Sequence, residues 1–266
     1  MKTTGNTILI TGGGSGIGRE LARRFNDLGN DVIVAGRRQG ALDETIGDRQ
    51  RMAAYTLDVD DPEHIRAFAR QVIDRHPTLN ILVNCAGVMR YEDLTVERDL
   101  KNAEETVVTN LLGPIRLTNA LISHLVRQPD AAIINVSSGL AFVPFAIAPT
   151  YSATKAAVHS YTVALREQLK GKVEVIELAP PAVRTDLTPG QRTREGYMPL
   201  DAFIDEAMAI FQRQPTPPEI LVERVKFLRN AEAEGRFDQA LAALAPLALN
   251  ATAAAQERVF TDGFVP

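Results

Sequence analysis

The 266-residue sequence predicts an α/β protein, a doubly wound parallel sheet of six or seven strands with helices on both faces. Three observations lead there. Short β-branched apolar runs alternate with longer helical patterns from residue 7 to residue 179. The runs are apolar throughout rather than alternating, as in strands covered on both faces. The first strand passes directly into a glycine-rich turn and a helix.

The elements follow in order. "TILIT" (7–11) is the first strand, and Gly16 to Gly29 a helix that stops at a glycine able to take a left-handed cap. "DVIVAG" (31–36) and "AAYTLDV" (53–59) are strands two and three. Pro62 to His76 is a helix capped by Asp60 or Asp61 and closed by Pro77. "NILVNCAG" (80–87) is the fourth strand, and a long helix from Val96 to Val126 is interrupted near Gly113-Pro114. "AAIINVSS" (131–138), a helix from Thr150 to Leu169 and "VEVIELA" (173–179) complete the alternation. Beyond Pro180 comes a Pro-, Gly- and charge-rich loop, then helical patterns at Pro199–Gln212 and Pro218–Ala231. The whole chain, 1–266, reads as one domain, with 188–215 a substrate-lid segment and 232–266 a C-terminal extension without a clear pattern.

Composition narrows the function. Apolar residues make up 45% of the chain, enough for a large core. The net charge is −4 with basic and acidic residues interleaved, so neither a nucleic-acid stripe nor a polybasic membrane anchor stands out. No run is apolar enough for a membrane span, and the N-terminus carries no apolar signal core. The single cysteine, Cys85, excludes an internal disulfide and suits a reducing, cytoplasmic setting. The four histidines show no metal-ligand spacing, so no metal is expected.

The chemistry-bearing motifs begin with "LITGGGSGIG", which sets Gly12, Ser15, Gly16, Ile17 and Gly18 between strand one and helix one. Glycine there permits a tight turn and a close approach to a pyrophosphate, which a helix N-terminus attracts. At the end of strand two, an acid would favour NAD by bonding the ribose 2′-hydroxyl; this sequence has Gly36, Arg37 and Arg38 instead. Arginine can pair with a 2′-phosphate, which favours NADP(H) and leaves NAD(H) admissible. Asp58-Val59 closes strand three, where the carboxylate can accept from an adenine amine. Tyr151 and Lys155 lie one helical turn apart, so both heads can serve one site.

Together "TGGGSGIG", "NCAG" (84–87), Asn110 in "VVTNLLGP", "NVSSG" (135–139) and "YSATK" (151–155) resemble the short-chain dehydrogenases/reductases, in the right order over residues 7–190. "VEVIELAPPAVRTDL" and "ERVKFLRNA" are similar to a bacterial branch, the DltE-like oxidoreductases. The resemblance implies a Rossmann-type fold and hydride transfer between a nicotinamide and a ketone or aldehyde. It implies that Tyr151 is the general acid/base, that Lys155 lowers the tyrosine pKa and bonds the nicotinamide ribose, that Ser138 (with Ser137 as the alternative) polarises the substrate oxygen, and that Asn110 helps hold a relay water. It further implies that Asn84, Ala86 and Gly87 line the cofactor cleft, that Val183 and Thr185 hold the carboxamide, and that the chain forms a homodimer or homotetramer through the helices flanking strand five, where Ala153, Ala156, Ala157 and Ser160 allow close approach. Two departures stand out: Pro180-Pro181 replaces the usual Pro-Gly, and "VFTDGFVP" only echoes a terminal strand motif.

Leu140, Phe142, Phe145, Met89 and the loop from Thr188 to Met198 are expected to line a pocket for an apolar carbonyl compound. Two other readings compete. One is a non-catalytic dinucleotide sensor, which keeping both Tyr151 and Lys155 disfavours. The other is a serine hydrolase using Ser138 and His159, disfavoured because "NVSSGLA" lacks the Gly-x-Ser-x-Gly turn.

Overall fold

The computed structural model describes residues 1–245. Seven strands form one parallel sheet: β1 (Thr7–Thr11), β2 (Asp31–Gly36), β3 (Met52–Thr56), β4 (Leu79–Asn84), β5 (Ala132–Val136), β6 (Glu174–Leu178) and β7 (Glu219–Ile220). Their order is β3-β2-β1-β4-β5-β6-β7, so the chain reverses its direction of travel between β1 and β4. That switch point opens a crevice at the carboxyl ends of the two strands.

Eight named helices connect the strands among the described residues: α1 (Gly16–Asp27), α2 (Gln39–Ile46), α3 (Pro62–Arg75), α4 (Lys101–Val107), α5 (Gly113–Leu125), α6 (Pro149–Gln168), α7 (Leu200–Phe211) and α8 (Lys226–Arg229). The sheet is apolar on both faces because successive side chains point opposite ways. Ile8 and Ile10 of β1 enter a core shared with α1 and α7, whereas Leu9 enters the opposite core with α3 and α5. Phe25 of α1 meets Phe211 of α7 edge to face at 5.7 Å. Asp61, not Asp60, caps α3, accepting from the N–H groups of Glu63 and His64.

The structure departs from the expected strands and helices at four places. β3 ends at Thr56; the Leu57 N–H still donates to the Gly36 carbonyl of β2 at 3.0 Å, and Leu57 and Val59 are buried beyond the strand. α2 was not expected; only Leu42 and Thr45 of its eight residues are buried, which leaves almost no apolar period to read. The long helix expected at 96–126 starts at Lys101, and a five-residue π-helical turn, Val108–Leu112, separates α4 from α5. Pro114 has no N–H to offer the carbonyl four residues back, that of Asn110, so the α-helical ladder fails just where the turn widens. Pro218–Ala231 is not one helix: Glu219 and Ile220 pair with Glu177 and Leu178 as the seventh strand, and only Lys226–Arg229 is α-helical. The echo of a terminal strand in "VFTDGFVP" lies outside the described residues, and the seventh strand is this earlier one.

The segment expected as a lid divides. Phe203, Ile204, Ala207 and Phe211 of α7 are fully or almost fully buried, so that helix belongs to the core. In the C-terminal segment, a helix over 237–245 seats Phe237, Ala240 and Leu244 against Val143, Leu228 and Ala231.

Candidate active site

A cavity of about 410 Å³ occupies the switch point. Its floor is the β1–α1 turn. Gly12 and Gly16 have φ of +68° and +52°, which side-chain-bearing residues rarely adopt. A Cβ on Gly18 would fall 2.4 Å from the Gly12 carbonyl oxygen, and one on Gly12 would fall 2.9 Å from Ala86 Cα. Thr11 Oγ1 fastens the turn to β4, accepting from the N–H groups of Cys85 (3.0 Å) and Ala86 (3.1 Å). Sequence reasoning passed over Thr11, a small polar residue ending an apolar strand. Ser15 caps α1 in extended conformation without using its side chain, so its hydroxyl faces the cavity together with the first N–H groups of the helix. That cradle of backbone donors, closed to any Cβ, fits a dinucleotide pyrophosphate.

Arg37 and Arg38 stand exposed on the cavity wall, and among the described residues neither has an ion-pair partner. Asp58 and Val59 also line the wall; Asp58 accepts from the Asp60 N–H at 3.1 Å through one carboxylate oxygen. Ile17, Ala86, Gly87, Val183 and Thr185 complete the cofactor set on the cavity surface. Pro181 joins them, and the Pro180 carbonyl accepts from the Gly139 N–H at 2.9 Å, which ties the Pro-Pro step to the serine loop.

Asn84 does not reach the cavity. It is buried below, donating to Asn135 Oδ1 at 2.8 Å and Thr118 Oγ1 at 3.2 Å, so it braces β4 against β5. Asn110 is also buried behind the wall. Its side-chain amide brackets the Val88 backbone, accepting from N–H and donating to C=O at 2.8 Å each.

At the far end sit Tyr151, Lys155 and Ser138, all 5–7% exposed. α6 puts the phenol and the ammonium on one face, with Nζ 5.5 Å from the ring centroid and donating to the Val136 carbonyl at 2.8 Å. Ser138 Oγ accepts from the Leu140 N–H at 3.1 Å, which leaves its own hydrogen free to donate. Burial pushes the Tyr151 phenol up to about 12, with the Ser138 hydroxyl working against it. Burial likewise brings Lys155 down to about 8, opposed by Cys85 and Glu177. The expected lowering of the tyrosine by the lysine does not appear here: of the protein's own groups, the Ser138 hydroxyl is what lowers the phenol, and burial outweighs it. The Cys85 thiol is pushed up to about 11 by burial, as an unreactive cysteine would be.

Ser137 is committed elsewhere: it donates to Glu177 Oε1 at 2.5 Å, and Glu177 Oε2 meets His159 Nδ1 at 2.7 Å. Among the described residues no hydrogen bond joins Ser138 to His159, so the hydrolase pair is not formed. Glu177 is wholly buried in β6, and its signal was a charged residue inside an apolar strand. The fold also brings ligand atoms of His159, Glu177 and Glu219 within 4.8 Å of one another, which histidine spacing did not foretell. Both carboxylates are already partnered there, Glu219 by Arg229 at 3.1 Å. Phe142 packs on His159 and Arg229, whereas Met89, Phe145 and Leu140 cluster with Tyr151.

The description "short chain dehydrogenase" fits residues 6–196. A Bacillus subtilis (strain 168) oxidoreductase, DltE, is 40% identical over 240 residues, spanning 87% of this chain and 93% of its own. Sulfoacetaldehyde reductase 2 of Chromohalobacter salexigens is 30% identical over 86% of this chain and 96% of its own. Among solved structures, the closed form of a serine dehydrogenase complexed with NADP+ superposes with a TM-score of 0.71 at 26% identity, covering 78% of this chain and 89% of that one. The chain belongs to the short chain dehydrogenase family, oxidoreductases that interconvert alcohols and carbonyl compounds with a nicotinamide dinucleotide.

Proposed function

We propose that the chain is an NADP(H)-dependent carbonyl reductase in which Tyr151 is the general acid/base. The observation that carries this is one cavity with Arg37 and Arg38 unpaired at one end and Tyr151, Lys155 and Ser138 buried at the other. The glycine turn, Ser15 and the α1 N-terminus bind the pyrophosphate. Arg37, with Arg38 beside it, binds the 2′-phosphate, and Asp58 accepts from the adenine amine. Ala86, Gly87, Val183 and Thr185 hold the nicotinamide half. When bound, that group supplies a hydride to the carbonyl carbon, so that carbonyl and reduced dinucleotide become alcohol and oxidised dinucleotide once a proton is added.

The chain's own residues handle the proton. Ser138 donates to the carbonyl oxygen and polarises it. Tyr151, kept protonated by burial at neutral pH, gives its proton to the same oxygen as charge develops. Lys155 then stabilises the phenolate, and the proton is replaced through Lys155 and a water that Asn110 helps hold. A phenol raised in this way favours reduction over oxidation; oxidation needs a bound positive nicotinamide to bring it down.

The loop over 188–199 is the part of the lid segment available to cover substrate, since α7 is core. Ala153, Ala156 and Ser160 lie exposed along α6 beside Val163 (42% exposed), which supports a homodimer through this face. Among the described residues no helix is long and apolar enough to cross a membrane. The lone cysteine supports a cytoplasmic setting. Sulfoacetaldehyde, in the name of one relative, is a sensible first compound for a screen. The test is an assay of NADPH and NADH against a panel of aldehydes and ketones, with NADPH-dependent reduction expected.

A further inference from the structure

The loop between β6 and α7 carries a cation that no acid accounts for. Arg194 is half-buried, with its guanidinium carbon 5.3 Å from the Tyr197 ring centroid. Nη1 donates to Tyr91 Oη at 3.4 Å and to Tyr197 Oη at 3.2 Å. Among the described residues Nε and Nη2 have no partner, so the edge of the guanidinium that pairs with two oxygens at once is free. Among the described residues Arg194 forms no ion pair, and two acids of the adjoining segments are held by other arginines. Glu92 binds Arg98 at 2.5 Å and Thr150 at 2.8 Å, and Asp186 binds Arg192.

Tyr91 is fixed relative to the reacting phenol. It packs in the same apolar cluster as Tyr151, Met89, Phe145 and Leu187, and its hydroxyl donates to Thr188 Oγ1 at 3.2 Å. The next residue, Glu92, accepts from the Thr150 N–H at 3.0 Å and donates its own N–H to the Ile147 carbonyl at 2.9 Å, which pins the segment to the first turn of α6. On the other side of Tyr91, Arg90 lines the cavity, and among the described residues its side chain bonds the Met89 carbonyl alone, at 3.4 Å.

We propose that Arg194, steered by the Tyr91 and Tyr197 hydroxyls and aided by Arg90, receives a carboxylate or sulfonate group at the distal end of the carbonyl substrate. The proposal rests on the reading of Tyr151 as the reacting phenol. The apolar cluster then takes the carbon chain and the arginine edge its anionic head, so the substrate is a small oxo-acid rather than a wholly apolar ketone.

The test uses straight-chain aldehydes of graded length ending in carboxylate, sulfonate or methyl, with wild type, Arg194→Gln and Arg194→Lys. Arg194→Gln should lower kcat/KM for the anionic aldehydes roughly ten- to a hundredfold, mainly through KM, and leave the methyl-ended ones within about twofold. Arg194→Lys should restore part of the loss. Which head loses more tells carboxylate from sulfonate. Equal loss for neutral and anionic aldehydes, or no wild-type preference for either anion, overturns the proposal. Binding of the corresponding hydroxy acids to the NADPH complex, read by calorimetry, separates the two readings. Arg194-dependent binding without turnover upholds this site and removes the reductase assignment; turnover of neutral aldehydes without such binding does the reverse.

Discussion

The two ends of the cavity are built on opposite electrostatic terms. Arg37 and Arg38 are exposed, unpaired among the described residues and ready for a charged ligand. Tyr151 and Lys155 are 7% and 5% exposed, and burial pushes each toward its neutral form. An exposed charge costs little to maintain and would attract a phosphate, so on the proposed reading that end governs affinity. A buried ionisable pair is costly to charge, so that end governs when a proton moves. Substitutions at the two ends should therefore change different quantities.

The largest effect belongs to the buried end. Tyr151→Phe keeps the ring and removes the proton donor, so kcat should fall by on the order of 10²–10⁴-fold. NADPH affinity, measured by fluorescence titration, should stay within about threefold of wild type. Near-normal turnover in this variant would break the comparison outright.

At the exposed end, Arg37→Asp should weaken NADPH binding by about 1.5–3 kcal/mol, as expected for loss of charge-assisted hydrogen bonds. That is roughly ten- to a hundredfold in Kd. NADH should lose far less or gain. A wild type that binds NADH more tightly than NADPH would show the arginines to be ordinary solvated side chains.

The third effect is a stability slope. Lys155 releases its proton near pH 8 in the folded chain and near its ordinary value of 10.5 when unfolded. Between those values the unfolded chain binds more protons, so stability should rise with pH, by at most about 1.4 kcal/mol per unit. Tyr151 acts oppositely between 10 and about 12, where the unfolded phenol ionises first. Urea denaturation of the protein without cofactor, at pH 8 to 10, should show the rise in wild type and a flatter curve in Lys155→Met. Parallel curves would mean that the lysine is not held near neutrality.

The smallest effect on chemistry is expected on the outer face of α6. Light scattering should give a multiple of the 29.0 kDa chain mass, and Ala156→Arg should reduce it while leaving cofactor affinity unchanged. A wild-type monomer would refute the dimer.

What could be read from the sequence follows the same division. The glycine turn was legible because a Cβ at Gly18 collides with backbone, a constraint only glycine satisfies. Tyr151 and Lys155 were legible because helical spacing fixes their common face. Asn84 is on the expected strand end but lies below the cavity it is expected to line, and Asn110 is tied to the Val88 backbone. Whether a polar side chain faces a cavity or a buried neighbour depends on partners such as Asn135 and Val88, which the fold brings from elsewhere in the chain. α2 and β7 were missed because one has two buried residues and the other is two residues long. Glu92, Glu177 and Arg194 were missed because their meaning lies in contacts 6 to 103 residues away in sequence.

The most direct test of the two-ended account is NADPH binding and steady-state turnover measured across wild type, Tyr151→Phe, Arg37→Asp and the double variant. The account predicts that Arg37→Asp raises Kd by the same factor in both backgrounds, within about 0.5 kcal/mol. It also predicts unchanged kcat for Arg37→Asp at saturating NADPH, and that Tyr151→Phe lowers kcat alone. Loss of NADPH binding in Tyr151→Phe, or a fall in saturated kcat in Arg37→Asp, would contradict it.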